Sequence, residues 1–237
     1  MPLYRLPAEH IFPPPEHATL SGMLAIGGDL HPDRVLLAYR MGIFPWYSEE
    51  QPLLWWSPDP RMVLPTAELR IQRSLRKRVK RGDFRLTFDT CFADVLRGCA
   101  DTERPDQDGT WLTPELQQAF IALHQRGIAH SIEAWEGDEL VGGLYGLAIG
   151  RLFCGESMFA RRSDASKVAF VHLVRQLERW GFPLVDCQVH TPHLERFGAR
   201  EVPRDDFLAQ MRTLSRQPGR PGPWRFDDAF DPLGNRP

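Results

Sequence analysis

The stretch that decides the fold reads "ELVGGLYGLAIGRLFCGESMF", residues 139–159. It holds two apolar runs of strand length around a turn at residues 150–151. Another strand-like run, "AHSIEAW" (129–135), ends just before it at a turn over residues 136–138. Three consecutive strands joined by tight turns predict an antiparallel meander. Glu156 stands among the apolar residues of the last strand, where an unpaired buried carboxylate is costly, so it either faces solvent or meets a positively charged ligand.

Helical patterns lie on both sides of this meander. The first, "TPELQQAFIALHQRG", has Thr113 as N-cap and Pro114 in its first turn, and the second runs from residue 163 or 164 to Trp180. A buried strand, "PLVDCQV" (183–189), follows. This order predicts an α+β fold, an α/β sandwich, with a mixed, mostly antiparallel sheet and helices on both faces. The acyltransferase fold of the GNAT type has the same order, and by that analogy two central strands splay apart at the ligand site.

The first part of the chain differs in composition from the rest. Residues 1–60 are rich in proline, glycine and aromatic residues and contain one helical stretch, over residues 32–41. We therefore predict a small N-terminal domain over residues 1–60 and a larger domain over residues 61–237. The larger domain ends in a proline-rich, irregular tail from about residue 217.

The overall composition is that of a globular protein. The chain has 237 residues, of which 42% are hydrophobic and 25% charged, and a formal net charge of −2. Wholesale disorder is excluded, and nucleic-acid binding would need a local basic patch. No run approaches the ~20 apolar residues of a membrane span, and the start lacks the pattern of a secretory signal. Because the four cysteines are also widely spaced, we expect a cytoplasmic protein without membrane association and with reduced, mostly buried thiols.

Two polar residues interrupt the buried strand 183–189. Strict alternation would put Asp186 and Gln188 on the same face of that strand. They either satisfy backbone donors in the core, or form a proton acceptor and its polar neighbour facing a pocket. His190 and His193 form an HxxH pattern, but the sequence offers no third ligand of matching spacing, so we predict no metal site.

A basic segment, residues 69–81, predicts a helix that carries seven cations and no acid between residues 70 and 81. A solvated helix face normally mixes charge signs for pairing between successive turns. The unmixed run therefore favours contact with nucleic-acid phosphates, with a solvated face as the alternative. Most of the tryptophans are expected in the core, although an indole that faces a cleft could stack on a base.

Taken together, motifs between about residues 20 and 215 resemble the leucyl/phenylalanyl-tRNA–protein transferase family. They are "LAIGGDL", "GIFPWYS", "WWSPDPR", "GTWLTPE", "HSIEAW", "ELVGGLYG", "LFCGESMF", "SDASKVAF" and "DCQV". The resemblance implies a GNAT-like domain that transfers leucine, phenylalanine and, less readily, methionine from aminoacyl-tRNA to the N-terminal Arg or Lys of an acceptor protein. The product would carry an N-end rule degradation signal. The resemblance implies no metal and no cofactor, because the ester to tRNA is already activated, and we expect a monomer.

The resemblance also implies roles for single residues. Asp186 and Gln188 fall on the family's catalytic pair in "DCQV". Glu156 falls on the acidic residue of "CGES", where it would pair with the positive N-terminal residue of the acceptor. The other implied substrate-binding residues are Trp46, Trp111, Leu144, Phe153, Met158, Phe170, Leu173, Leu177 and Val185. The implied tRNA-binding residues are Arg73, Arg76, Lys77, Arg78, Lys80 and Arg81.

The chemistry leaves alternatives open. The acceptor amine must lose a proton as it attacks the ester, and Asp186 could accept or orient that proton, directly or through Gln188. In a rival account the substrate's own ribose hydroxyl takes the proton and Asp186 has an electrostatic role. An acetyl-CoA-dependent acetyltransferase is another class, although the turn "ARRSDAS" after Phe159 lacks the glycines that usually cradle a pyrophosphate. A third class is a non-catalytic RNA-binding module, in which these polar residues would be structural.

Overall fold

Two β-sheets, one small and one large, organise the chain in the computed structural model, which describes residues 3–48, 50–102 and 110–234. The strands are β1 (Tyr4–Leu6), β2 (Met23–Gly27), β3 (Phe44–Pro45), β4 (Leu54–Trp56), β5 (Arg61–Pro65), β6 (Arg85–Phe88), β7 (Ala129–Glu136), β8 (Glu139–Ile149), β9 (Leu152–Ala160), β10 (Leu184–Gln188) and β11 (Arg200–Val202). The α-helices of the described residues are α1 (Pro32–Arg40), α2 (Arg73–Arg81), α3 (Phe92–Ala100), α4 (Pro114–Gln125), α5 (Ala165–Arg179), α6 (Pro192–Glu195) and α7 (Arg204–Leu214).

The small sheet has the strand order β1-β2-β4-β3 and is accompanied by α1. This helix matches the predicted stretch 32–41 and ends before Gly42, whose φ of +76° is readily adopted by glycine. A Cβ at Gly42 would also lie 2.6 Å from Leu208 Cδ2 in α7, so a larger residue would displace that side chain. The small N-terminal domain is thus confirmed, and its boundary at residue 60 stays a prediction.

The large sheet has the order β11-β5-β10-β9-β8-β7-β6. Only β9 and β10 pair in parallel, so the predicted mixed, mostly antiparallel sheet and the meander β7-β8-β9 are confirmed. Helices α3 and α4 pack on one face, in a core shared with the small sheet. Helices α2 and α5 cover the other face. The result is the predicted sandwich with helices on both faces.

The basic helix is shorter than predicted. It begins at Arg73, whereas the pattern predicts a start at Leu69. Leu69 has φ −52° and ψ 121°, and the Arg70 amide donates to the carbonyl of Phe197 at 2.8 Å. This long-range hydrogen bond holds the backbone outside the helical conformation, and a local pattern cannot predict it.

The tail after residue 217 has little regular secondary structure, as predicted, but it is not loose. Trp224 is only 1% exposed and stacks on His130 with ring centroids 3.7 Å apart. Its indole N–H donates to the Arg220 carbonyl at 2.9 Å, and its amide donates to the Asp89 carboxylate at 2.6 Å. The tail therefore completes the core on the α5 side of the large sheet.

Replacing Trp224 by phenylalanine is expected to lower the free energy of unfolding by about 1–2 kcal/mol, because a buried hydrogen bond and part of the buried volume are lost. Urea unfolding measures the change. Trp135→Phe is the matched control, since it loses a similar indole hydrogen bond, to Thr87 at 2.8 Å, from a half-buried position. If Trp224→Phe costs no more than the control, the tail does not contribute to the core as described.

None of the helices in residues 3–48, 50–102 and 110–234 is both long enough and apolar enough to cross a bilayer.

Candidate active site

A fork between the two central strands creates a cavity. The parallel pairing of β9 with β10 ends at Cys154 and Asp186, whereas β9 continues to Ala160. A cavity of about 350 Å³ opens beyond this point and is lined by residues of both strands. The two central strands therefore separate as expected, and the binding of a ligand at this point stays a prediction.

The lining is mainly apolar. The predicted pocket residues that line it are Leu144, Phe153, Met158, Phe170, Leu173 and Val185. Leu177 was expected with them and does not line the cavity. Helix α5 runs back from the end of β9 to the start of β10, so Leu177, one turn beyond Leu173, lies over the part of the sheet where the strands are still paired, in the closed core.

Trp46 and Trp111, two of the residues predicted to bind substrate, form part of the cavity wall. Trp46 follows β3 of the small sheet, and Trp111 lies just before α4. The indole N–H of Trp56 donates to the Trp46 carbonyl at 2.6 Å, and the Tyr47 hydroxyl lies 2.8 Å from the Thr113 hydroxyl. These hydrogen bonds hold the two wall segments, which come from distant parts of the sequence, in place around the cavity.

Two polar groups meet at the fork. The amide Nε2 of Gln188 donates to Oε1 of Glu156 at 2.8 Å, and both residues line the cavity. Each lies at an irregularity in strand pairing: Glu156 is skipped between Gly155 and Ser157 in the register of β8 with β9, and the register of β10 shifts between Asp186 and Gln188.

The predicted alternation of Asp186 and Gln188 is wrong. The shift in β10 places Gln188 at a φ of +56°, a conformation that non-glycine residues adopt rarely, and turns its side chain into the cavity. Asp186 does not line the cavity; its carboxylate meets Arg61 within the core. Cys187, which alternation would place on the face opposite Gln188, lines the cavity as well.

The pKa of the Glu156 carboxyl is raised well above its ordinary value. Burial raises its pKa to about 8, and the nearby charge of Asp186 acts in the same direction. The buried Tyr39 hydroxyl, the Arg61 cation and the Gln188 hydrogen bond lower the pKa without offsetting burial. The Tyr39 hydroxyl is close to this carboxyl but makes no hydrogen bond of normal geometry. A carboxyl that titrates near neutral pH beside an apolar pocket is suited to bind a cation or to exchange a proton.

Beneath the fork lies a buried ion pair. Arg61 Nε donates to Asp186 Oδ1 at 2.8 Å and Arg61 Nη2 to Asp186 Oδ2 at 2.7 Å, and both side chains are 1% exposed. Asp186 Oδ1 also accepts the backbone amide of Gln188 at 3.0 Å. The pair therefore fixes the irregular backbone that turns Gln188 into the cavity.

Arg61 also connects the small sheet to this site, and the sequence interpretation missed it. Its Nη1 donates to the carbonyl of Gly42 at 3.1 Å, just before β3. Its guanidinium lies 4.9 Å from the ring centroid of Phe44 and 4.5 Å from that of Phe207. One signal was available: an arginine that opens the apolar run "RMVLP" enters the core only with a charged partner.

The cations of α2 differ in their pairing. Arg78 Nε and Arg81 Nη2 lie 3.1 and 2.8 Å from Oδ2 of Asp83, an acid just beyond the predicted helix. Within the described part of the chain, four exposed cations of the helix have no ion-pair partner: Arg73, Arg76, Lys77 and Lys80. The helix thus presents a positive surface on the larger domain.

The family model described as leucyl/phenylalanyl-tRNA protein transferase matches residues 63–212, and the model of its N-terminal domain matches residues 28–59. The chain belongs to the leucyl/phenylalanyl-tRNA protein transferase family, a family of aminoacyltransferases.

Relatives resemble the chain over its full length. The leucyl/phenylalanyl-tRNA–protein transferase of Anaeromyxobacter sp. strain Fw109-5 is 54% identical over 99% of this chain and 100% of its own. The protein of the same name from Myxococcus xanthus is 52% identical over 98% and 100%. Among solved structures, L-PGS from Bacillus licheniformis gives a TM-score of 0.41 at 11% identity, over 83% of this chain and 72% of that one, a likeness too low to support an argument.

Proposed function

We propose that this chain transfers leucine or phenylalanine, and methionine less readily, from aminoacyl-tRNA to the N-terminal Arg or Lys of acceptor proteins. The observation that carries the proposal is the cavity at the strand fork, which combines an apolar pocket with one carboxyl that titrates near neutral pH. The family's relatives, which match the chain over nearly its whole length, support the same reaction. The product would carry an N-end rule degradation signal, and the enzyme would act as a cytoplasmic monomer.

The transferred side chain would occupy the apolar part of the cavity. Its lining by Leu144, Phe153, Phe170, Leu173 and Val185 supports large, uncharged side chains, because a polar side chain would lose its hydrogen bonds to water there. Flexible Met158 would adapt to side chains of different shape. Trp46 and Trp111, which also line the cavity, would flank the terminal nucleotide, because indole rings offer stacking surfaces.

The acceptor would be recognised through its charge. Glu156 lies at the fork, with one oxygen held by Gln188 and a pKa that makes its carboxylate available near pH 8. A cationic Arg or Lys side chain entering this site would stabilise the carboxylate form, and a neutral residue would not.

The reaction forms a bond between the acceptor's α-nitrogen and the ester carbonyl carbon and breaks the bond from that carbon to the ribose oxygen. One proton leaves the nitrogen, and the ribose oxygen gains one. Gln188 is placed to orient the reacting groups through its cavity-facing amide. The proton would pass to the ribose oxygen directly or by way of Glu156.

Asp186 would be a positioning residue. Both of its carboxylate oxygens accept hydrogen bonds from Arg61, and one also accepts the backbone N–H of Gln188. Asp186 does not line the cavity. This arrangement supports the electrostatic role of Asp186 over that of a direct proton acceptor. Its carboxylate would act by holding Gln188 in its strained conformation.

The tRNA would be bound along α2, with Arg73, Arg76, Lys77 and Lys80 as its main phosphate contacts. Replacing Arg76 and Lys80 by glutamine should weaken tRNA binding and reduce the slope of log affinity against log salt by about 0.7–0.9 per cation, because each contact releases counterions. Fluorescence anisotropy over a salt series measures the slope. The double variant Arg5→Gln with Arg40→Gln removes two exposed cations from the small domain and is the control. An equal reduction of the salt slope in this control would refute a specific role of α2.

A transfer assay tests the proposed function. The purified protein is mixed with radiolabelled leucyl-tRNA and a peptide that begins with Arg, or with an otherwise identical peptide that begins with Gly. Label on the Arg peptide alone is the expected result. Tight tRNA binding without transfer would indicate a binding module, and absence of both would direct the test to labelled acetyl-CoA.

A further inference from the structure

A second, smaller cavity of about 60 Å³ adjoins the candidate active site. The two cavities share one lining residue, His193. The other residues that line the smaller cavity are Gln72, Ser74, Leu75, Asp164, Lys167, Arg196 and Phe197. It therefore lies between the strand fork and the first turn of α2.

Positive charge dominates this cavity. Lys167 Nζ lies 2.7 Å from Oδ1 of Asp164, the single acid in the lining. Arg196 is exposed and has no ion-pair partner within the described part of the chain. One positive side chain of the lining, that of Arg196, thus remains uncompensated.

The positive charges of this cavity also act on His193, the residue that the two cavities share. Burial lowers its pKa, and the charges of Lys167 and Arg196 lower it further. Its buried Nε2 has no hydrogen-bond partner among the described residues. A neutral imidazole with a free nitrogen therefore lies between two cations at the junction of the cavities.

The start of α2 adds hydrogen-bond donors. Gln72, at the N-cap position, makes no side-chain capping bond, so the first-turn amides of the helix are not satisfied by the usual cap. Together with the cations, these amides make the cavity suited to an oxyanion and not to a cation or an apolar group.

We propose that the smaller cavity is a phosphate subsite that binds a phosphodiester of the tRNA 3′ end next to the aminoacylated nucleotide. The inference rests on the proposed function, because it takes the active-site cavity as the place of the aminoacyl ester. Lys167 and Arg196 bind the phosphate oxygens, and the nucleotide chain continues from there to the cations of α2. Asp164 opposes binding by holding Lys167.

Binding of two ligands tests the subsite. The first is the trinucleotide CCA, which carries phosphodiesters, and the second is adenosine, which carries none. Lys167→Gln and Arg196→Gln are each expected to raise the dissociation constant of CCA about tenfold, the effect of one charge-assisted hydrogen bond, and that of adenosine less than twofold. Arg5→Gln, which removes an exposed cation from the small sheet, should change neither.

A variant that removes a negative charge from the cavity should have the opposite effect on CCA binding. Asp164→Asn removes the competing charge and keeps a residue that tolerates the backbone φ of +65° at this position. It should tighten CCA binding and leave adenosine binding unchanged. Equal effects of the three cavity variants on CCA and adenosine, or no effect on either, would overturn the phosphate subsite.

Because both ligands lack an amino acid, these measurements do not depend on catalysis. A wild-type protein that binds CCA through Lys167 and Arg196 but transfers no leucine would refute the proposed function and keep the subsite. If the wild-type protein transfers leucine but the variants bind CCA as tightly as the wild type, the proposed function is kept and the phosphate subsite is refuted.

Discussion

Replacing Arg61 by methionine is expected to lower the free energy of unfolding by about 3–5 kcal/mol and to reduce transfer at least a hundredfold in the protein that remains folded. The change leaves the Asp186 carboxylate buried without its partner. It also removes the donor to the Gly42 carbonyl. The strand irregularity that presents Gln188 would no longer be held, so the active-site geometry would be lost together with stability.

A double variant separates the two effects. Arg61→Met with Asp186→Leu replaces the whole buried ion pair by apolar side chains and should recover most of the lost stability. The double variant should stay inactive, because the backbone N–H of Gln188 has then lost the carboxylate oxygen that accepts its hydrogen bond. Recovery of activity in the double variant would show that the pair has no positioning role.

A second buried arginine provides the control. Arg34 is 0% exposed, and its Nη2 donates to the carbonyls of Pro7 and Ala8 and to Asp29, within the small domain. Arg34→Met should also destabilise the protein, but the folded fraction should keep its turnover. Turnover is measured against the folded fraction from circular dichroism.

Replacing Glu156 by glutamine is expected to weaken the binding of an Arg-initiated peptide by about 10–100-fold at pH 8.5, because a charge-assisted contact in a buried site is lost. The affinity for aminoacyl-tRNA should be nearly unchanged. The dissociation constant of the peptide, measured by calorimetry without tRNA, isolates this step from chemistry.

The same contact predicts a dependence on pH. In the proposed contact, the cationic peptide would bind the carboxylate form of Glu156, whose pKa burial raises to about 8. Between pH 5.5 and 7.5 the carboxylate fraction rises nearly tenfold per unit, while the neutral carboxyl keeps the weak affinity expected of Glu156→Gln. Wild-type affinity should therefore rise by about 4–20-fold in total over this range. The peptide's α-amine, with an ordinary pKa of about 7.7–8.0, stays mostly protonated over this range. Affinity in Glu156→Gln should be almost flat.

Glu133 is the matched control for this prediction. It is a 0% exposed glutamate on β7 whose pKa burial also raises, but it hydrogen-bonds Ser131 and Thr87 and does not line the cavity. Glu133→Gln should leave peptide affinity and its pH slope unchanged. A wild-type affinity that does not vary with pH would contradict the assignment of Glu156 to the acceptor site.

Local signals predicted the elements that carry strong start and stop residues. Helix α4 has Thr113 as its N-cap and Pro114 in its first turn, and the β7-β8-β9 meander is punctuated by tight turns. Strand β5 and helices α3 and α7 were missed. Each is short, β5 ends at a proline and α3 contains Gly98, so their stability comes from tertiary packing more than from a local pattern.

Most of the residues predicted to bind substrate line the cavity, but the geometry of the site could not be predicted from the sequence. Motifs pointed to Glu156 and Gln188, which do meet at the fork. The opposite direction of Asp186 depends on the register of β10 with β5, and its pairing with Arg61 spans 125 positions of sequence. Periodicity along one strand contains no information about such long-range pairing, because the irregularity is set by the neighbouring strand.

Arg61 contacts Asp186, the Gly42 carbonyl and the Phe44 ring, and these contacts have a consequence for recombination between relatives. A hybrid that takes residues 1–60 from one protein and the remainder from another separates the Gly42 carbonyl from the arginine that binds it. Such a chimaera would function only if its parents share the same loop before β3 and the same packing of Phe44 on the guanidinium. The segment to be exchanged as one unit is therefore larger than the predicted boundary at residue 60 suggests. Crossover libraries should take Gly42, Phe44, Arg61 and Asp186 from one parent.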